Sequence, residues 1–411
     1  MKLQFKKTKS RSEYWDQNIH TKDGDIIEVD SYTTQNLLKY FPDNFKKLED
    51  IPATLTYEPQ FTFLKPKKRL NKLSFSYFYD TPKSIVTVSF IIVAQNQIKA
   101  LRDLGYEVEE KNISFIDKPI IESRGNIAIV HPLLLILKSK EWNQILENLY
   151  NRFSYVVAFD VADTTGINKK YVKILNDPRI DAIIVPSQFS YNAYRMSGVV
   201  NRILIIPHGV DKNFKPPEEK QTGNPKVLTI CPHSELRKGG DLFFEVAKKF
   251  PDVEFIFKGD TENKLANVKI IKDFLTEDNL IKLYQSADIF LYGFRAGAFE
   301  IPVLESLACG LILIATGWGC ILDYANLHNS LLSGITSYSK IFFPENFNNG
   351  YGAEPNLNEL IALLRYSLDN FDKLKKRALA TSKYIRNKFS WENAARLFIK
   401  DCKEIIDETI I

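Results

Sequence analysis

Cysteine is scarce in this chain: Cys231, Cys309, Cys320 and Cys402 are the four among 411 residues, and no two of them form a CxxC pair. That excludes a secreted disulfide scaffold and gives no support to a zinc site, so the thiols are expected to be reduced and buried in a cytoplasmic protein. Long apolar runs are missing as well. The longest, Ser84–Ala94 and Ile127–Leu137, fall short of the roughly 20 residues a bilayer-spanning helix needs, and no apolar stretch follows the basic N-terminus. Membrane contact is therefore expected to be peripheral at most. No GxGxxG follows a predicted strand, which removes the usual dinucleotide loop. His20, His131 and His328 lack the companions of a metal site. Charge is nearly balanced at +5, and residues 1–72 hold 14 Lys and Arg against 10 Asp and Glu. The basic stretches Lys2–Arg11 and Lys65–Lys72 fit a solvated surface, an anionic membrane or a phosphorylated acceptor, and no nucleic acid partner is expected.

What is present reads as a globular α/β protein. With 45% hydrophobic and 26% charged residues in 411, the chain exceeds what one core usually serves, so two domains are expected. Residues 1–70 read as an irregular extension, with Thr21–Asp30 as a short hairpin turned by Asp23-Gly24. From Leu73 onward strand-like runs alternate with helix-length segments, at Asn126–Val130, Tyr155–Phe159, Asp181–Val185 and Arg202–Ile206. Pro207, Pro216, Pro217 and Pro225 then crowd a stretch of little periodicity, the best boundary in the chain. Alternation resumes at Lys226–Cys231, runs to Leu311–Ala315, and is followed by helical segments at Leu357–Leu368 and Phe371–Asn387 and an amphipathic last helix. The expected layout is an extension (1–70), a first Rossmann-like domain (71–206), a linker (207–225), a second Rossmann-like domain (226–388) and a closing helix (389–411). Each domain is doubly wound, with a cleft between them.

In open α/β sheets ligands sit beyond the carboxyl ends of the strands. The segment Gly293–Gly310, GFRAGAFEIPVLESLACG, follows a strand and opens a helix that Pro302 starts and Gly310 closes. Such a start offers free N–H groups and a positive dipole end to a phosphate, and Glu305, one turn in, can accept hydroxyl hydrogen bonds from a ribose. A capped core helix explains this segment equally well when it is taken alone. Ser234–Gly240, SELRKGG, follows the strand VLTIC and places Arg237 and Lys238 at the mouth of a neighbouring strand, where cations could neutralise a leaving diphosphate.

These residues resemble a known family. The stretch DAIIVPSQFSYNAYRMSGVVNRILIIPHGVD at Asp181–Asp211 is similar to the hinge region of family 4 of the retaining GT-B glycosyltransferases, in the superfamily of glycogen and sucrose synthases. Lys238-Gly239, FIFKGD at Phe255–Asp260, LIKLYQSADIFLYGF, FEIPVLESLACGLILIATGWG and FSWENAARL resemble its later segments, in order. The resemblance implies a GT-B fold and, on the second domain, a nucleotide-sugar site. Lys238 would bind the diphosphate and Glu305 the ribose, while the loop Arg295–Ile301, with Gly297, Ala298, Phe299 and Glu300, would receive sugar and phosphates, and the turn before Thr276 would meet the base.

Two departures stand out. The family carries a glutamate where this chain has Gly297, so Glu300 is the substitute carboxylate. An arginine is replaced by His233, which binds phosphate more weakly, so Arg237 takes part of that role. On the first domain Asp160 best matches a residue touching the donor sugar, with Asp163 and Thr164 beside it and His208 at the hinge. The resemblance implies transfer of a hexose from a UDP- or GDP-sugar to a glycan, lipid-linked or protein acceptor, with retention and with neither metal nor cofactor. A GT-B-like protein that binds nucleotide or glycan without turnover is the alternative, and a phosphorylase or epimerase a third. Asp23-Gly24-Asp25 is formally a metal-binding DxD, which a hairpin turn explains more simply.

Overall fold

In the computed structural model of the protein, residues 70–79, 88–112, 122–133, 142–218, 223–231, 235–341 and 347–408 are described, with short strands among the first 47 residues. The chain forms two compact units, Met1–Pro66 and Lys67–Ile411. In the first, β1 (Lys2–Phe5) lies between β4 (Ile26–Glu28) and β5 (Phe45–Lys47), both antiparallel to it, while β2 (Glu13–Trp15) pairs with β3 (His20–Lys22). The hairpin expected over Thr21–Asp30 is therefore not formed, because the strands flanking Asp23–Asp25 pair elsewhere. Strands of three residues gain little from each other alone, and β4 gains more on the flank of a strand already paired on its other side.

The second unit contains two parallel sheets. The first is built from β6 (Ser74–Tyr79), α1 (Val88–Asp103), β7 (Glu107–Asn112), β8 (Ile127–His131), α2 (Trp142–Arg152), β9 (Tyr155–Phe159), α3 (Lys169–Leu175), β10 (Ala182–Val185), α4 (Gln188–Ser197) and β11 (Ile203–Ile205), in the order β11-β10-β9-β8-β6-β7. The second uses β12 (Lys226–Cys231), α5 (Glu235–Lys238), α6 (Gly240–Ala247), β13 (Glu254–Gly259), β14 (Val268–Ile271), α7 (Glu277–Gln285), β15 (Ile289–Tyr292), α8 (Ile301–Ala308), β16 (Ile312–Thr316) and β17 (Ser330–Ser333), in the order β14-β13-β12-β15-β16-β17. This is the GT-B arrangement of two doubly wound halves. The interior strands IAIVH, YVVAF, AIIV, IFLY and ILIAT are buried along their whole length, as unbroken apolar runs covered on both faces must be.

An antiparallel hairpin, β18 (Ile335–Lys340) and β19 (Tyr351–Pro355), then leaves the second sheet. Phe347, at its tip, packs into the first sheet's core beside Tyr171 and Tyr194. Backbone bonds from Asn168 N–H to Phe347 O and from Asn349 N–H to Gly166 O hold it there. The chain ends in α9 (Leu357–Asp369), α10 (Phe371–Lys388) and α11 (Trp391–Glu408). Helix α11 puts Trp391, Phe398 and Ile406 into the core of the first sheet. All four cysteines are free and buried, and no described helix is long and apolar enough to cross a membrane.

Strand order reverses between β12 and β15, the two parallel neighbours at the centre of the second sheet. Chain connections leave this point in opposite directions, the place at which open α/β sheets bind their ligands. Helix α5 follows one strand and the loop into α8 follows the other.

Candidate active site

The loop 293–300 leaves β15 and enters α8 through Glu300, with Pro302 in the first turn rather than at its first position. Glu300 has φ 60° and ψ 67°, the only positive φ of a non-glycine residue among those described. That conformation costs an L-residue about 1–2 kcal/mol, so something must hold it. The Glu300 carboxylate is buried, paired with Lys238 Nζ at Oε1 and accepting the Tyr292 hydroxyl at Oε2 over 2.5 Å. The Tyr324 hydroxyl closes on the carbonyls of Phe299 (2.6 Å) and Glu300 (3.0 Å). Burial alone would push the Glu300 carboxyl up, but Lys238 and Arg237 with these hydrogen bonds outweigh it and hold it below the ordinary carboxylate range.

Gly297 belongs to the same arrangement. A Cβ there would lie 1.6 Å from Glu300 Oε1, so a side chain at 297 and the carboxylate of Glu300 exclude one another. The glutamate three residues on fills the space that the missing side chain leaves.

Lys238 reaches this carboxylate because Gly239 lets the chain turn against the loop. Gly239 has φ +76°, and a Cβ on it would meet Gly293 O at 2.0 Å. We expect Gly239→Ala to destabilise the fold by about 3 kcal/mol or more, from left-handed strain plus the clash with a fixed carbonyl. A urea titration reads this directly, and a loss below about 1 kcal/mol would contradict the close approach.

Arg237 donates to Ala296 O at 3.2 Å and stands 3.8 Å from the Asp163 carboxylate. Asp163 O in turn accepts the Gly297 N–H at 3.0 Å, and Ser187 Oγ donates to Ala298 O at 2.7 Å. The loop is thus fastened to the first sheet's strand ends. Two of the N–H groups expected to be open, those of Arg295 and Gly297, are engaged with Arg237 O and Asp163 O. The Arg295 side chain is engaged by the fold. It forms bidentate pairs with Asp241 (2.8 Å) and Glu354 (2.7–2.8 Å), tying the loop to α6 and β19.

Glu305 lies one turn into α8 and accepts the Tyr284 hydroxyl at 2.7 Å. Desolvation pushes its carboxyl up to about 8, with the charge of Glu277 adding to the shift and the Tyr284 bond opposing it. Thr276 caps α7, its Oγ1 accepting from Asn279 N–H at 3.4 Å, so its side chain serves the helix. Asp160, buried at the end of β9, accepts the Val161 N–H at 2.8 Å. Thr164 donates to Gly166 O at 2.9 Å. His208 is buried against Phe299, with ring centroids 4.9 Å apart, and burial pushes its imidazole down to about 3, a neutral ring. His233 lies outside the described residues.

Arg237, Lys238, Gly297, Ala298, Glu300 and Asp163 therefore form one connected cluster, joined by Phe299 to His208. Glu305 pairs with Tyr284 near the end of α7, apart from that cluster, and Thr276 caps the start of the same helix. Tyr292, Tyr284, Tyr324 and Ser187 were missed from sequence. Of these only Tyr292, a hydroxyl at the end of the otherwise apolar strand IFLY, carried a local signal. Among the described residues no group of three His, Cys, Asp or Glu is placed to hold a metal ion.

Comparison with known proteins gives this geometry a context. Residues 211–337 match the family described as glycosyl transferases group 1. A protein of Sulfolobus islandicus filamentous virus, assigned as glycosyltransferase 45, is 30% identical over 309 residues, covering 72% of this chain and 86% of its own. A glycosyltransferase from Rickettsia africae superposes with a TM-score of 0.61 at 15% identity, over 82% of this chain and 99% of that one. The Anabaena protein HepE, solved with UDP and glucose, superposes with a TM-score of 0.58 at 12% identity, over 80% and 99% of the two chains. At these identities the two structures speak for the fold.

Proposed function

This chain belongs to the glycosyl transferases of group 1, a transferase family of GT-B fold, and from that premise we propose that it moves a hexose from a UDP- or GDP-sugar to an acceptor hydroxyl with retention of configuration. The observation that carries this reading is the Lys238–Glu300 pair at the start of α8, placed at the reversal of strand order. Lys238 has three N–H donors, so one bond to Glu300 leaves two for diphosphate oxygens. As the sugar–phosphate bond breaks, Lys238, Arg237 and the positive end of α8 take up the charge growing on the leaving group. In this reading those groups do what a divalent ion does elsewhere, and no metal is required. Glu300 accepts hydrogen bonds from hexose hydroxyls and Glu305 from ribose hydroxyls, with the base at the turn before Thr276. The Gly297 N–H exchanges Asp163 O for the donor. Asp160 touches the donor sugar, and Asp163, Thr164 and His208 bound the acceptor side, where a glycan, a lipid-linked sugar or a protein hydroxyl attacks from the face the diphosphate leaves.

Thermal shifts with UDP, GDP and ADP, followed by sugar release from the matching donors, test this reading. One nucleotide should stabilise the protein and its sugar conjugate should turn over. Binding without turnover across a broad acceptor panel would leave a nucleotide-binding protein instead.

The raised Glu305 carboxyl gives a pH signature. A ribose needs the ionised form as acceptor, so nucleotide affinity should rise as pH passes through about 8, and Glu305→Gln should flatten the profile. Stability runs the other way. Because the folded value exceeds the unfolded one of roughly 4.3, the contribution is full below that value and is lost as pH climbs through the folded one. A nucleotide affinity that stays level across this window in the parent protein would remove Glu305 from the ribose.

A further inference from the structure

Helix α10 carries seven Lys and Arg against the single Asp372, a net +6 within 18 residues, whereas the whole chain carries only +5. Leu374, Ala378, Ser382 and Ile385 form its buried face. Ser382 Oγ donates to Ala308 O, so this face lies against the C-terminal end of α8, and Leu379 at its edge reaches the turn at Gly310. Two cations flanking the buried face serve the fold: Lys375 pairs with Asp288 at 3.2 Å, and Arg377 donates to Leu327 O at 3.4 Å. Lys373, Lys376 and Lys383 are exposed on the opposite face, and none has an ion-pair partner among the described residues. A merely solvated helix usually intersperses acids with its lysines at i,i+4. From Lys373 to Lys388 there is no acid at all.

Tyr384 lies on this face at 53% exposure, Leu379 at its edge at 44%, and Leu327 beside Arg377 is 76% exposed. Lysines around protruding Leu and Tyr tips match the boundary of an anionic bilayer. The ammonium groups reach lipid phosphates while the apolar tips enter the headgroup layer. We propose that the exposed face of α10 docks on an anionic lipid surface. A phosphate backbone of nucleic acid would answer the charge but would leave Leu379 and Leu327 in water.

The test uses the full chain and co-sedimentation with two vesicle types, phosphatidylglycerol mixed equally with phosphatidylcholine, and phosphatidylcholine alone. We expect binding to the first and little to the second, weakening as salt rises. The variant Lys373→Gln/Lys376→Gln/Lys383→Gln should lose about a hundredfold in partitioning. Leu379→Asn/Tyr384→Asn should lose about tenfold with the salt dependence unchanged. The melting temperature of the lysine variant should stay at the parent value, since its three side chains are exposed, and the apolar variant, in which Leu379 packs beside Gly310, is compared at a temperature where it remains folded. Equal binding to both vesicles, undiminished binding by the lysine variant, or tighter binding to duplex DNA at the same salt would each overturn the proposal.

Discussion

Glu300→Gly is expected to lower kcat/KM for sugar transfer about a thousandfold, the scale of removing a group that acts on the reacting centre. Gly297→Glu alone should be equally poor, because its Cβ would stand 1.6 Å from Glu300 Oε1 and two carboxylates would contest one space. The double variant Gly297→Glu/Glu300→Gly should recover activity to within about tenfold of the parent. Glycine accepts the positive φ at 300 freely, and a glutamate at 297 points into the volume that Glu300 now fills, within reach of Lys238 and Tyr292. Strong non-additivity of this kind would assign the requirement to the carboxylate's position rather than to either residue. A double variant as inactive as the worse single would refute the shared-space account.

Arg295→Met is expected to cost about 3 kcal/mol of stability, at the low end for breaking a buried ion pair, because Asp241 and Glu354 are partly exposed and can be hydrated. Arg295→Lys should recover little. One ammonium cannot make the two bidentate contacts of a guanidinium, and the loop would stay detached from α6 or from β19. Urea titration of the three proteins checks this. A loss under about 1 kcal/mol in Arg295→Met would show that the hub is dispensable.

The fold was legible because its interior strands are unbroken apolar runs and its punctuation is conventional. IFLY, ILIAT and AIIV have only one comfortable place, between two layers of helix. Gly310 closes α8 just past its end as expected, whereas Pro302 stands second in the helix rather than first. The reversed strand order at β12 and β15 was implicit in the alternation, and it puts Lys238 beside the loop that follows Tyr292. Harder to read was anything resting on long-range contact or on unusual backbone. No propensity places a glutamate at φ 60°, and nothing near Asp163 in sequence announces that its carbonyl holds Gly297. Nothing local to Arg295 announces that Asp241 and Glu354 hold its guanidinium from either side. Residues 335–355, with short polar strands and mixed alternation, gave no period to read. In the N-terminal segment Asp-Gly suggested a hairpin, and a turn signal cannot say which strands the flanking residues will choose. Charge was misleading in a similar way. The excess in residues 1–72 was visible by counting, while that of α10 acquires meaning only once Leu374, Ala378, Ser382 and Ile385 define the face opposite it.

The central claim is that a nucleoside diphosphate binds where β12 and β15 diverge, against Lys238 and the start of α8. Titration calorimetry with UDP and with GDP, on the parent protein and on Lys238→Met, tests it most directly. We predict that one of the two nucleotides binds the parent and that Lys238→Met weakens it at least about tenfold, as loss of a charged hydrogen bond requires. Binding of neither nucleotide, or equal affinity in the two proteins, would contradict it.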